Sequence, residues 1–364
     1  MGREEQRDIR IIQAAEANRA DLAAFLDEAY GPAKRDFLLT HGDWWHRGPG
    51  GRFVALCDGE VAGYRGIIPT VCLFDGRELP AVWGMDLYVL PRFRGLGLQR
   101  LLDQRLLEAS NLRMSFPGEL GAKIYARQGY CIREDPQGLH ISLASAPLAN
   151  GASGPSGLVR HAVSRARAMG LREATRRAVA RGRAISLRAQ ALRYQPGHTE
   201  IIDSPEPDQL ERLFFRYVIR DLATTLRSAE FLRWRYLEAP YRSELAFYIT
   251  DTHGRATQCA IVRYISTGIP RARILDVFGD LEDEEGLSDL IRTVLRDAME
   301  RGLHYVSVLG SSPGFLRSLQ REGFTWSHLM RFRWLSDIPE VQERFSSIKL
   351  HWVLGDSDMD APPS

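Results

Sequence analysis

The stretch Asp86-Leu-Tyr-Val-Leu-Pro-Arg-Phe-Arg-Gly-Leu-Gly-Leu-Gln-Arg-Leu-Leu, residues 86–102, constrains this chain more than any other. After its acid, Leu87 to Leu90 is apolar and aromatic, as a buried strand is. Pro91 has no N–H for a ladder and stops the strand. Arg94-Gly95-Leu96-Gly97 presents little side chain to an approaching ligand. From Leu98, apolar residues recur at Leu101, Leu102, Leu106 and Leu107, which is helical spacing. A glycine loop opening a helix leaves backbone N–H groups unpaired at the positive end of the helix dipole, and phosphate suits such a place. Arg92, Arg94 and Arg100 add charge of the right sign. A short glycine loop taken alone is equally compatible with a plain strand-to-helix turn.

The wider pattern narrows that choice. Val-x-Pro-x-x-Arg-Gly-x-Gly followed by a leucine-rich helix, here Val89, Pro91, Arg94, Gly95 and Gly97, resembles the coenzyme A pyrophosphate loop of the GNAT superfamily of N-acetyltransferases. Where that family carries a third small residue, this chain has Gln99. A second family marker, Tyr-x-x-x-Gly-Phe, is matched by Tyr125-Ala-Arg-Gln-Gly129-Tyr130. The order of elements around these markers is also the family's. A strand (8–12) and two helices (16–29 and 34–45) come first. A hairpin turns at Asp58-Gly59, and a second Asp-Gly, Asp75-Gly76, leads to the strand at 81–90. The helix, a short strand at 112–116, a helix at 119–128 and a final strand pair within 130–145 follow.

From Thr199 the order begins again. Two local echoes support an internal repeat. Asp43-Trp-Trp-His-Arg-Gly-Pro49 is echoed by Phe231-Leu-Arg-Trp-Arg-Tyr-Leu-Glu-Ala-Pro240, and Ile124–Tyr130 by Ser318–Phe324. The expected fold class is therefore α+β, two tandem GNAT domains, each a mixed, mostly antiparallel twisted sheet flanked by helices. The expected domains are residues 7–147 with the acyl-CoA loop, a linker and arginine-rich connector at 148–197, a degenerate second domain at 198–352, and a disordered tail at 353–364. Within the connector, residues 160–193 hold ten arginines and one acid, a net charge of +9, so the rest of a +2 chain carries −7. That stretch reads as a solvated helical connector, with RNA, an anionic membrane or an acidic partner as alternatives. No aromatic residue interleaves with its arginines to stack on bases.

Only the first half keeps the chemistry. Where it has Arg92-Phe-Arg-Gly-Leu-Gly, the second half has Gly279-Asp-Leu-Glu-Asp-Glu-Glu-Gly286, with five carboxylates. Acids suit a helix N-terminus but repel a pyrophosphate. Leu319, at the position of Tyr125, has no proton to donate.

The resemblance implies acetyl-CoA, or another acyl-CoA, as co-substrate and no metal. It implies direct transfer to a primary amine of a small molecule. In that frame Leu87, Tyr88 and Val89 offer a backbone donor to the thioester oxygen. Loop N–H groups from Arg94 through Gly95, Leu96, Gly97, Leu98 and Gln99 to Arg100 hold the pyrophosphate. Tyr125 protonates the leaving thiolate, and Asp86 takes the proton of the amine. Glu119 and His46 are reserve bases, with His46 expected to line a cleft. A plain structural tyrosine at 125 and a salt-bridged carboxylate at 86 stay open. A Fem-type transferase that takes its acyl group from aminoacyl-tRNA, and a non-catalytic binding protein, are the rival functions. Oligomeric state is open, a homodimer included.

Four scattered cysteines, no Cys/His cluster, a charged N-terminus and no run of about 18 apolar residues fit a cytoplasmic protein with no membrane partner.

Overall fold

A computed structural model describes residues 7–143, 197–252 and 254–357. The linker and the arginine-rich connector fall outside the described residues. Alternation and turn chemistry set the first half. Strand β1 (Ile9–Gln13) leads into α1 (Arg19–Tyr30), whose first amides are capped by the Asn18 side chain, and α2 (Pro32–Trp45), which opens on a proline. Strands β2 (Arg52–Cys57), β3 (Glu60–Phe74) and β4 (Arg77–Val89) are joined by two-residue turns. At both turns Asp58-Gly59 and Asp75-Gly76 have positive φ at each residue, which the twist of a hairpin favours. Then come α3 (Leu98–Ala109), β5 (Leu112–Ser115), α4 (Glu119–Arg127), β6 (Cys131–Arg133) and β7 (Gln137–Ser142).

The second half repeats this plan with β8 (Thr199–Ile202), α5 (Pro207–Tyr217), β9 (Leu222–Thr225) and α6 (Ala229–Leu232), which runs on into a π-turn at Arg233–Leu237. Strands β10 (Leu245–Asp251), β11 (Ala256–Ile265) and β12 (Arg271–Gly279) follow, then α7 (Glu284–Glu300), β13 (Tyr305–Gly310), α8 (Pro313–Arg321), β14 (Thr325–Leu329), β15 (Phe332–Ser336), α9 (Pro339–Arg344) and β16 (Lys349–His351).

The fold is α+β with two mixed, mostly antiparallel sheets. The first runs β1-β2-β3-β4-β5-β15-β6, and the second β8-β10-β11-β12-β13-β7-β14. In each, four antiparallel strands meet a parallel fifth, β5 beside β4 and β13 beside β12. The sixth strand of each sheet comes from the other half of the chain. Residues 332–336 pair with both β5 and β6, and residues 137–142 pair with both β13 and β14. A sequence reading that lets each half close its own sheet does not find this exchange. It also misses β9, α9 and β16, where β9 pairs with the outer part of β3 and with β16.

The echoing stretches meet in space. Trp44 Nε1 donates to the Trp234 carbonyl (2.9 Å) and Trp234 Nε1 to the Trp44 carbonyl (2.7 Å), so each half satisfies the other's indole. Residues 353–357, expected to begin a disordered tail, are buried instead. Leu354–Asp356 form a turn, Arg235 donates to the Gly355 and Ser357 carbonyls, and Asp356 pairs with Arg227 at 2.8 Å. Buried backbone and charge both find partners there, which a polar sequence does not reveal. No helix among the described residues is long and apolar enough to cross a membrane.

Candidate active site

Strands β4 and β5 pair only at Val82–Arg113 and Trp83–Met114. Beyond these pairs they part, and a cavity of about 1080 Å³ opens between them. That is the upper end of the range of roughly 300–1,000 Å³ for small-molecule sites. Its vertex is pinned by Ser115 Oγ donating to the Gly84 carbonyl at 3.0 Å. One wall is β4 from Gly84 to Val89, and the opposite wall is Phe116–Glu119 with the inner face of α4. The outer end is the glycine loop.

A bulge shapes the β4 wall. Tyr64 faces Tyr88 and Gly66 faces Met85, so Asp86 and Leu87 together oppose one residue, Arg65. Asp86 takes φ +51°, in the left-handed region that Asp tolerates better than most residues. Such a bulge interrupts the ladder and leaves a backbone group unpaired beside the cavity. The Asp86 side chain is buried and paired through Oδ1 with Lys34 of α2, while Tyr30 donates to its carbonyl. Its Oδ2 has no partner. Asp86 belongs to the cavity wall, while its carboxylate is buried among Lys34, His46 and Tyr64.

At the loop, Gly95 and Gly97 take φ +89° and +78°, with nothing within 4 Å of where a Cβ would stand. The amide of Arg94 donates to Pro91 and that of Arg100 to Gly97 (3.0 Å). Among the described residues, the amides of Gly95 to Gln99 make no backbone hydrogen bond, so those five N–H groups are left without a backbone partner at the start of α3. Arg94 donates to the Val89 carbonyl and lies over the Tyr88 ring. Arg92 is committed elsewhere, to Glu28 and Glu60, and lends the loop no free charge. The Gln99 side chain turns back to Asp103, away from the amides. Gly95, Gly97, Leu98 and Gln99 are wall residues of the cavity, whereas Leu96 and Arg100 stand beside it.

Tyr125 projects from α4 into the same cavity and is itself 2% exposed. Its ring packs on Tyr130 (4.6 Å), the other aromatic of the late-helix marker, and lies beneath the Arg65 guanidinium (5.9 Å). Burial pushes the Tyr130 phenol well up, so it stays protonated. Tyr125, Asp86, the β4 backbone and the glycine loop therefore border one volume. Glu119 also lines it.

His46 does not. It is fully buried behind β3, where Gly66 and Gly51 leave room for its ring, with Nδ1 on the Ile67 carbonyl (3.1 Å). Burial pulls its pKa down to about 4, so it is neutral near pH 7. The Trp-Trp-His-Arg stretch is core and inter-half contact, not a cleft lining.

The fold is that of the GNAT acyltransferases. Residues 18–116 match the family model described as Acetyltransferase (GNAT) family. Similar solved structures include Saccharomyces cerevisiae N-myristoyltransferase with bound myristoyl-CoA, at TM-score 0.57 and 11% identity over 90% of this chain and 82% of that one. A GCN5-related N-acetyltransferase from Anabaena variabilis gives TM-score 0.55 at 15% identity, covering 90% and 72%. One from Kribbella flavida gives 0.54 at 14%, covering 90% and 71%. Identities this low speak to fold alone. No curated protein matches the sequence.

The second sheet repeats the strand order of the first with a different outcome at the corresponding place. Asp280 Oδ1 accepts from the amides of Glu282 and Asp283, and Asp283 Oδ1 accepts from Gly286, capping α7. The amides left open in the first half are filled by acids here. The cavity beside this loop is about 260 Å³. Sequence reasoning missed Lys34, Asp103 and Arg65. Only Arg65 carried a signal, a cation between two glycines in an otherwise apolar strand, Val61-Ala-Gly-Tyr-Arg-Gly-Ile-Ile.

Proposed function

We propose that this protein is an acyl-CoA-dependent N-acyltransferase that moves a short acyl group directly to a primary amine of a small molecule. The observation that carries the reading is that one cavity is bordered by Tyr125, Asp86 and the glycine loop, whose amides from Gly95 to Gln99 make no backbone hydrogen bond. The loop holds the pyrophosphate. The β4 wall aligns the pantetheine arm, and the bulge at Asp86–Leu87 presents a backbone donor to the thioester oxygen as charge builds on it. The amine must be neutral to attack, and the Asp86 carboxylate accepts its proton, directly or through water. Collapse of the tetrahedral adduct expels the CoA thiolate, which Tyr125 protonates. The capped loop and small cavity of the second half support its role as a structural partner. The open amides favour this reading over transfer from aminoacyl-tRNA, which needs no CoA site.

Release of free CoA thiol, followed while a panel of primary amines is offered with acetyl-CoA and longer acyl-CoAs, tests the proposal. Tyr125→Phe should lower kcat by about 10²-fold or more, the usual worth of a positioned general acid, with CoA affinity little changed. An unaltered kcat would remove Tyr125 from the mechanism.

A further inference from the structure

The closed end of the cavity holds a charge that the transfer chemistry above leaves unused. Arg65, on β3 opposite the bulge, is 1% exposed and lines the cavity. Its guanidinium reaches the vertex: a Cβ on Gly84 would stand 2.3 Å from Nη2. Neither Nε nor Nη2 has a hydrogen-bond partner. The nearest anion, Asp103 on α3, stays 3.6 Å from Nη2. Asp103 Oδ2 is already taken by the amides of Gln99 and Gln128. Asp103 thus balances the charge of Arg65 without filling its donors. Burial works against the charge, and the Tyr125 hydroxyl and Asp103 more than offset it, so the guanidinium stays protonated.

Two features fix what can reach it. The open amides hold phosphate at the outer end, so the acyl group of a bound CoA thioester lies at the inner one. With the thioester at the Asp86–Leu87 bulge, the wall runs on from Asp86 to Gly84 for two residue steps, roughly 7 Å at about 3.3 Å each, room for a short acyl chain beyond it. At the inner end Phe116, a wall residue, stacks on the buried Trp83 (5.3 Å, 14°). Entry of the arm expels water, and the charged donors of Arg65 must then be met by the ligand or stay buried and bare, which is costly. An acetyl methyl or an alkyl chain offers no acceptor.

We propose that the preferred donor is the CoA thioester of a short dicarboxylic acid, malonyl- to succinyl-sized, whose free carboxylate pairs with Arg65. The inference rests on the acyl-CoA reading. It makes Arg65 the residue that selects the acyl group.

Calorimetric titration of CoA, pentanoyl-CoA and succinyl-CoA into the full-length protein and its Arg65→Met variant tests it. Pentanoyl-CoA matches the succinyl chain in length without its charge. In the native protein succinyl-CoA should bind about tenfold or more tighter than pentanoyl-CoA, as expected for a charge-assisted pair. In Arg65→Met that preference should vanish while free CoA binds as before. Equal or stronger binding of pentanoyl-CoA to the native protein overturns the proposal, whatever the fate of the variant. A preference that survives in a folded variant overturns it too. If free CoA itself does not bind, the acyl-CoA reading fails and this proposal falls with it. If CoA binds without a succinyl preference, this proposal alone fails.

Discussion

Single residues in this site are defined by what their neighbours leave undone. Asp86 gives one oxygen to Lys34 and buries the other without a hydrogen-bond partner. Gln99 occupies a position where its family has a small residue, yet its amide bonds Asp103 and clears the loop. Sequence alone does not show where that side chain goes, because rotamer and partner are tertiary facts. Arg65 and Asp103 meet across 38 positions for the same reason. His46 shows the cost of a buried imidazole. Its pKa is drawn from 6.5 to about 4 by burial, so the unfolded chain takes up a proton there before the folded one does. Stability from this group is intact above pH 6.5 and is lost as pH falls toward 4, a loss on the order of 3 kcal/mol. Denaturant unfolding between pH 7 and 5 should therefore show a pH slope steeper in the native protein than in His46→Gln, by up to one proton. Parallel slopes would mean that His46 is protonated equally well when folded.

At the scale of elements, the hairpin turns, the strand–loop–helix unit and most of the strand and helix order were legible in the sequence, because local chemistry decides them. Asp-Gly pairs, a strand-ending proline and leucine periodicity need no distant partner. The short strands β9 and β16 and helix α9 were not, since β9 is held by pairing with β3, β16 by pairing with β9, and α9 by burying Val341 in the core, rather than by their own pattern. Nor was the link between α2 and the bulge of β4. Lys34 and Asp86 join these elements as a nearly buried ion pair. Removing one partner strands the other charge, so Asp86→Asn alone should cost about 3 kcal/mol in denaturant unfolding. The pair Asp86→Asn with Lys34→Met should regain most of that stability without regaining turnover. Recovery of turnover in the double variant would free Asp86 of its role as base.

Over the whole molecule, the exchange of strands makes the halves interdependent. Without residues 332–336 the first sheet loses the strand between β5 and β6, and without 137–142 the second loses the one between β13 and β14. Each gap exposes two unpaired strand edges. Calorimetry of the full chain should show one cooperative transition, and residues 1–147 expressed alone should not fold. Two separable transitions, or a folded isolated half, would contradict the exchange. The repeat itself was legible through the tryptophan echo. The exchange was not, because a strand's sequence does not say which of two similar sheets it enters.

The central claim is that the first loop, and not its counterpart, holds acyl-CoA through open backbone amides. Calorimetric titration of CoA into the native protein, Gly97→Glu and Asp280→Ala tests it most directly. A carboxylate at the mouth of the loop, on a residue at φ +78°, should abolish measurable binding, while the change in the second loop leaves it intact. Binding that persists in a folded Gly97→Glu protein, or is lost in Asp280→Ala, would place the CoA site elsewhere.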